Sequence, residues 1–301
     1  MPRKPSPLRA GDRVCLVAPS GAWNPERLAA GVEILSGWGL EVVGPHGAEP
    51  VRYFSAHDRV RADELAAGFR DATVRAVLAV RGGSGAARTF RSLDMAAIAA
   101  NPKLFVGFSD MTLLLDRVLT EADLLCFHGP MIGVDLPRIS AAARESFRRF
   151  LFGEDGWFDA TARECWRAGG GEGVLKGGCL AVLVTTLGTP YEIDTTGALL
   201  FLEDVAEQPY ALDRMLTHLK HAGKFDEVAG VVLGPMQSCD GGQGPAFLRE
   251  IIMDVLDEFD FPVLFGIEAG HGADNRVLPI GARVRIDGAS SRLVLLESVF
   301  E

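Results

Sequence analysis

Short apolar runs that stop at turns and give way to helical patterns constrain this chain more than any other feature. Val14-Cys15-Leu16-Val17-Ala18, Ala76-Val77-Leu78-Ala79-Val80, Leu104-Phe105-Val106 and Leu124-Leu125-Cys126-Phe127 are apolar at every position. Such runs suit strands buried on both faces. Between them, apolar residues recur at helical spacing: Leu28, Val32 and Leu35 after Pro25, then Val60, Leu65 and Phe69, then Leu113, Leu114 and Val118. A polar loop through His46, His57 and Asp58 separates the short strand Glu41-Val42-Val43 from the second of these helices. Strands alternating with helices predict an α/β fold, with a mostly parallel open sheet covered by helices on both faces over residues 1–150.

The pattern weakens after residue 150, and Gly169-Gly170-Gly171 is flexible, so residues 151–170 read as an interdomain linker. Residues 171–301 read as a smaller mixed α/β domain. An apolar helix is expected over Leu180–Leu187, with strands at Ala198–Leu202, Val228–Leu233 and Val263–Phe265. Residues 210–221 form an amphipathic helix with Leu212, Met215, Leu216 and Leu219 on one face, and residues 246–259 form another helix. Two closing strands, near 282–287 and 292–296, are expected to pair across Asp287-Gly288.

Composition narrows the function classes. At 301 residues and 48% hydrophobic, the chain can bury the cores of two domains. A net charge of -10 speaks against non-specific nucleic-acid binding, and no basic run suggests an anionic membrane surface. The five cysteines are widely spaced with no C-x-x-C pair, which reads as buried thiols in a reducing compartment. No apolar segment follows the basic stretch Met1–Pro5 at the length of a signal sequence, and a cytoplasmic location is expected.

Chemistry belongs beyond the carboxyl ends of the strands, where open parallel sheets bind ligands. Four such ends carry suggestive residues: Arg81-Gly82-Gly83, Ser109-Asp110, Glu203-Asp204 and Gly270-His271-Gly272. Ser109 sits where a strand turns into a helix, as either a helix cap or a nucleophile beside free N–H groups. As a nucleophile it would give its proton to His271, with Glu203 holding the other ring nitrogen and the N–H groups of Gly83 and Asp110 receiving the oxyanion. Arg81-Gly82-Gly83-Ser84-Gly85 is neither a P-loop nor a dinucleotide fingerprint, and taken alone it reads as a bare structural turn. His218 and His221 lie three apart on a helix without a third ligand at a recognisable spacing, so no metal site is read.

Taken in order, these segments resemble the LD-carboxypeptidases, serine peptidases related to the microcin C self-immunity peptidases. The resemblance runs from Val17-Ala18-Pro19-Ser20 to Leu278-Pro279-Ile280-Gly281. It rests on Arg81-Gly82-Gly83, Gly107-Phe108-Ser109-Asp110, His128-Gly129-Pro130 and Lys176-Gly177-Gly178. Gly188-Thr189-Pro190, Leu202-Glu203-Asp204-Val205, Asp213-Arg214-Met215-Leu216 and Gly270-His271-Gly272 complete the set. It implies Ser109 as nucleophile, Glu203 as triad acid and His271 as triad base, with serine on the N-terminal domain and the other two on the C-terminal domain. It also implies removal of the C-terminal D-alanine from muropeptide tetrapeptides, no metal or cofactor, and a homodimer. Cys179 stands where the family usually has Asn, and Ser84 where an aromatic is common.

Arg81, with Gly82, is expected to bind the substrate, its guanidinium pairing with the terminal carboxylate. Two other readings lead elsewhere. A self-immunity peptidase cleaving a peptidyl- or aminoacyl-nucleotide conjugate would need an aromatic platform for the base, for which Trp157 and Trp166 are candidates. A non-catalytic protein binding a small peptide would keep a cleft without using the three residues.

Overall fold

The computed structural model describes residues 2–46 and 49–301. Met1 of the basic N-terminus and Gly47 and Ala48 of the polar loop lie outside the described residues. The chain divides into two units. The first runs to Asp159 and takes in Asp274–Gly281 and Ser298–Glu301; the second comprises Ala160–Ala273 and Ala282–Glu297.

The first unit opens with β1 (Arg13–Val17), α1 (Pro25–Gly37), β2 (Glu41–Val43), α2 (Asp58–Arg70) and β3 (Val74–Ala79). A 3-10 turn at Ala86–Ser92 follows Gly85, and α3 (Met95–Ala100) comes after it. Next come β4 (Leu104–Gly107), α4 (Thr112–Ala122), β5 (Cys126–His128) and α5 (Ala141–Leu151). Local chemistry sets the helix starts. The side chain of Asn24 accepts from Arg27 N ahead of Pro25 at the first turn of α1, and Ser140 caps α5 by accepting from Ala143 N. Strands β2, β1, β3, β4 and β5 lie side by side in that order, all parallel, as the alternation predicts.

The second unit carries β6 (Ala160–Thr161), β7 (Glu164–Arg167), β8 (Gly170–Cys179), α6 (Leu180–Leu183) and β9 (Ala198–Glu203). It continues with α7 (Pro209–His221), β10 (Gly230–Leu233), α8 (Pro245–Val255) and β11 (Val263–Phe265). The chain then returns to the first unit as β12 (Leu278–Ile280), antiparallel to β5, before β13 (Arg283–Asp287) and β14 (Arg292–Leu295) close the second. The second sheet is mixed, in the order β6-β14-β13-β8-β9-β10-β11-β7, with β8 to β11 parallel. Leu212, Leu216 and Leu219 of α7 pack with Leu200 and Leu202 of β9 in its core. Burying each such leucine contributes about 1.5–3 kcal/mol.

Two expectations are corrected here. The stretch 151–170 is not a linker: α5 ends in it, and β6 and β7 form the two edges of the second sheet. Edge strands are short and carry polar residues on the side without a neighbour, which erases the periodicity that would announce them. Residues 171–301 do not form one continuous domain either, because Asp274–Gly281 and Ser298–Glu301 belong to the first unit. Asp274 fixes this return by accepting from Ser140 N at 3.0 Å and Ser140 Oγ at 2.9 Å. Among the described residues, no helix is long and apolar enough to cross a membrane.

Candidate active site

Ser109 follows β4 after one extended residue, Phe108, and precedes α4. Its φ of 62° lies in the left-handed region, an uncommon conformation for a residue with a Cβ. Strain of this kind, at a sharp turn between a strand and a helix, is how a serine is presented for attack. The turn is tight enough to require glycine at 107, where a Cβ would sit 2.9 Å from Met111 Cγ and 3.0 Å from Ala79 Cβ. Neither N-cap position falls on Ser109, since Phe108 precedes the 3-10 turn Ser109–Met111 and Met111 precedes α4, so the cap reading does not describe it.

The Arg81–Gly85 loop leaves β3, which neighbours β4, so the two carboxyl ends lie side by side. Gly82 lies against the serine: a Cβ there would come within 2.8 Å of Ser109 Cβ and 3.0 Å of its Oγ. Gly83 has a φ of 111°, open to glycine and rarely to others. Asp110 is buried, and its Oδ2 accepts from Ser20 Oγ at 2.6 Å and Ala86 N at 2.8 Å. The exposed Arg81 donates through one guanidinium nitrogen to the carbonyl of Ala22. Of the residues marked in the sequence, Gly82 is thus brought against Ser109, and Arg81 points its guanidinium to Ala22.

In the second unit, Glu203 ends β9 with none of its surface exposed. Its Oε2 lies 2.7 Å from His271 Nδ1 and accepts from His271 N at 3.0 Å. A carboxylate only accepts, so the neutral ring carries its proton on Nδ1 and presents Nε2 as the base. Gly270 makes the contact possible: its φ is 101°, and a Cβ there would sit 2.3 Å from Glu203 Oε2. Gly234, which the sequence reading does not single out, shapes the other wall. A Cβ there would lie 2.6 Å from Glu203 Cβ and 2.8 Å from Ala269 O. It directly follows the apolar run of β10, a strand end like the four already marked, and that is the signal that would find it.

Asp204 has a different task from its neighbour. Its Oδ2 accepts from Ala181 N at 2.7 Å and its Oδ1 from Val205 N at 2.9 Å, tying the chain after β8 to the chain after β9. Burial pushes its carboxyl up to about 6, the two N–H donors oppose the shift, and the charge of Glu203 adds to it. Cys179 stands directly across from Glu203 in the β8–β9 register. Burial, with Glu203 and Asp204 nearby, raises its thiol far above the ordinary value, which makes it a packing residue and not a nucleophile. Trp157 and Trp166 are both buried, the first against Phe150 at 5.1 Å and the second stacked on Phe265 at 4.1 Å. Neither offers a free face to a nucleobase. Among the described residues, no group of three or more His, Cys, Asp and Glu side chains is placed to hold a metal ion.

A strained serine between a strand and a helix, and a histidine oriented by a buried carboxylate, are each features of serine hydrolases. The chain belongs to the LD-carboxypeptidase family: residues 14–129 match its N-terminal domain and residues 172–286 its C-terminal domain. It is 39% identical to a putative carboxypeptidase of Streptomyces coelicolor, over 97% of this chain and 96% of that one. It is 34% identical to a probable murein peptide carboxypeptidase of Bacillus subtilis, over 99% of this chain and 96% of that one. In fold it is similar to the microcin C7 self-immunity protein MccF in complex with glutamyl sulfamoyl guanosine, with a TM-score of 0.90 over the whole of both chains at 24% identity. The protein is therefore a serine carboxypeptidase of the LD type.

Proposed function

We propose that this enzyme removes the C-terminal D-alanine from muropeptide tetrapeptides, working in the cytoplasm on material recycled from the cell wall. Ser109 Oγ attacks the carbonyl carbon of the L–D bond. His271 Nε2 takes the Oγ proton and returns it to the leaving amino group of D-alanine, and Glu203 stabilises the imidazolium formed in between. The N–H groups of Gly83 and Asp110 receive the oxyanion, and Arg81, with the backbone at Gly82, binds the terminal carboxylate. Water then repeats the sequence on the acyl-enzyme, with His271 as base and Ser109 as leaving group. The step needs no metal or cofactor.

The observation that carries this reading is the 2.7 Å pairing of His271 Nδ1 with a fully buried carboxylate, in a chain of this family. The murein peptide named in the relative from Bacillus subtilis supports the substrate. The five free cysteines accord with a reducing compartment. The active species is a homodimer in this reading, to be checked by light scattering.

The test is to follow D-alanine release from a muropeptide tetrapeptide by wild type, Ser109→Ala and wild type with a chelator. Release that survives the chelator and disappears in the variant supports the assignment. Release lost only with the chelator would refute it. A folded wild type that cleaves an aminoacyl-nucleotide conjugate and leaves the tetrapeptide intact would move the substrate to the other branch.

A further inference from the structure

We propose that Arg61 and Ser20 are positioning residues for the Ser109 reaction: Arg61 ties the glycine loop that lies against Ser109 to the turn that follows β1, and Ser20 ties that turn to Asp110, next to Ser109. This rests on Ser109 being the nucleophile. Arg61, on α2, is 1% exposed, among the largest fully buried side chains of the chain. Its Nη1 donates to the carbonyls of both Pro19 and Gly85, the latter at 2.8 Å, while Nε donates to Ala56 O at 3.1 Å. One guanidinium nitrogen therefore joins the turn after β1 to the end of the glycine loop. The ring of Phe54 covers the cation, 4.8 Å from the guanidinium carbon.

Three further hydrogen bonds tie together the loop, the turn after β1 and Asp110. Gly21 N donates to Gly82 O at 3.0 Å. Ser20 Oγ donates to Asp110 Oδ2 at 2.6 Å, and Ala86 N donates to the same oxygen at 2.8 Å. The turn after β1 is itself held from α2, where Glu64 Oε2 accepts from Ala18 N at 3.1 Å. Gly85 lies close against the cation, and a Cβ there would sit 2.6 Å from Arg61 Nη1. These contacts fix the backbone of Gly82 and Gly83 relative to Ser109 Oγ. An oxyanion hole has to be in place before charge develops, and a misplacement of about 1 Å costs about 100-fold in rate.

The measurement is kcat and KM for D-alanine release, with the rate of Ser109 labelling by a fluorophosphonate, in Arg61→Lys, Ser20→Ala, Arg88→Ala and Ser109→Ala. Folding is checked for each by circular dichroism and thermal melting. A lysine keeps the charge but has one nitrogen in place of three, so it cannot make the bonds of Nε and Nη2 to Ala56 O and Asp58 Oδ1 as well as those of Nη1. The expected result is a kcat lower by about 10–100-fold in Arg61→Lys and about 5–10-fold in Ser20→Ala, with KM within about twofold and labelling slowed in step. Arg88 pairs with the same Asp58 as Arg61 but lies on the exposed side, and Arg88→Ala should keep wild-type kcat. If Arg61→Lys does not fold, Ser20→Ala decides. Wild-type kcat and labelling in the folded variants, beside an inactive Ser109→Ala, would overturn this inference alone. Release that persists in Ser109→Ala would overturn the nucleophile and this inference together.

Discussion

His271 meets Glu203 twice, through its ring Nδ1 at 2.7 Å and its backbone N at 3.0 Å, and both contacts end on the same oxygen, Oε2. The carboxylate therefore fixes the position of the residue as well as the tautomer of its ring. A side chain held at both its root and its tip has little rotamer freedom left to lose when substrate binds.

Replacing Glu203 with Gln separates the two tasks. The amide oxygen still accepts a hydrogen bond, but the negative charge that stabilises the imidazolium is gone. We expect kcat for D-alanine release to fall by about 1,000–10,000-fold with KM little changed. A variant within tenfold of wild type would mean that the pair orients nothing in the reaction.

Gly270→Ala should be nearly as damaging without touching a functional side chain. The added methyl group falls on the Glu203 carboxylate, and φ at this position is 101°, where alanine is strained. Strain of this kind costs about 1–3 kcal/mol. The expected outcome is a lower melting temperature and at least a 100-fold loss of kcat, the second persisting well below the melting transition. Normal activity in the folded variant would show that the carboxylate has room to shift.

Most of the first sheet was legible because β1, β3 and β4 are built on apolar runs and the helices between them carry caps or periodic faces. Pro25 after Asn24 marks a helix start on sequence alone, and the structure begins α1 there. The segment β12 was not legible as a strand. It is three residues long, contains Pro279, and pairs with Cys126–His128 from far earlier in the chain. Proline is tolerated there because β12 is an edge strand. The helix expected over Leu180–Leu187 is a single α turn followed by a 3-10 turn, since apolar spacing does not distinguish the two. Ser109, Glu203 and His271 stood out because each ends an apolar run or sits among glycines. Arg61 and Gly234 did not, because what makes them matter is contact with residues distant in sequence.

Asp204 makes stability depend on pH in the direction opposite to an ordinary paired carboxylate. Its carboxyl is raised from 3.8 to about 6 by burial. Between those values the folded chain holds a proton that the unfolded chain has released, so stability falls as pH rises through that window. Asp204→Asn is neutral throughout and should lose this part of the pH dependence, while sacrificing one of the two side-chain oxygens that accept from backbone N–H groups, at about 1–3 kcal/mol. Melting curves of both proteins from pH 4 to 7 test it. Parallel dependence on pH in the two proteins would show that Asp204 does not titrate there.

Arg81 separates binding from folding. It is exposed and donates to the carbonyl of Ala22 on a neighbouring turn, so its loss should change stability by no more than about 0.5 kcal/mol. If its guanidinium binds the carboxylate of the departing D-alanine, Arg81→Ala should raise KM by about 10–100-fold and change kcat far less, because a charge-assisted pair made equally in the bound substrate and the transition state is uniform binding. A tetrapeptide amidated at its C-terminus offers no carboxylate, and on it wild type and variant should become equal. An unchanged KM for the free acid would assign recognition of the terminal carboxylate to another residue, and a fall in kcat with KM constant would make Arg81 part of the chemical step.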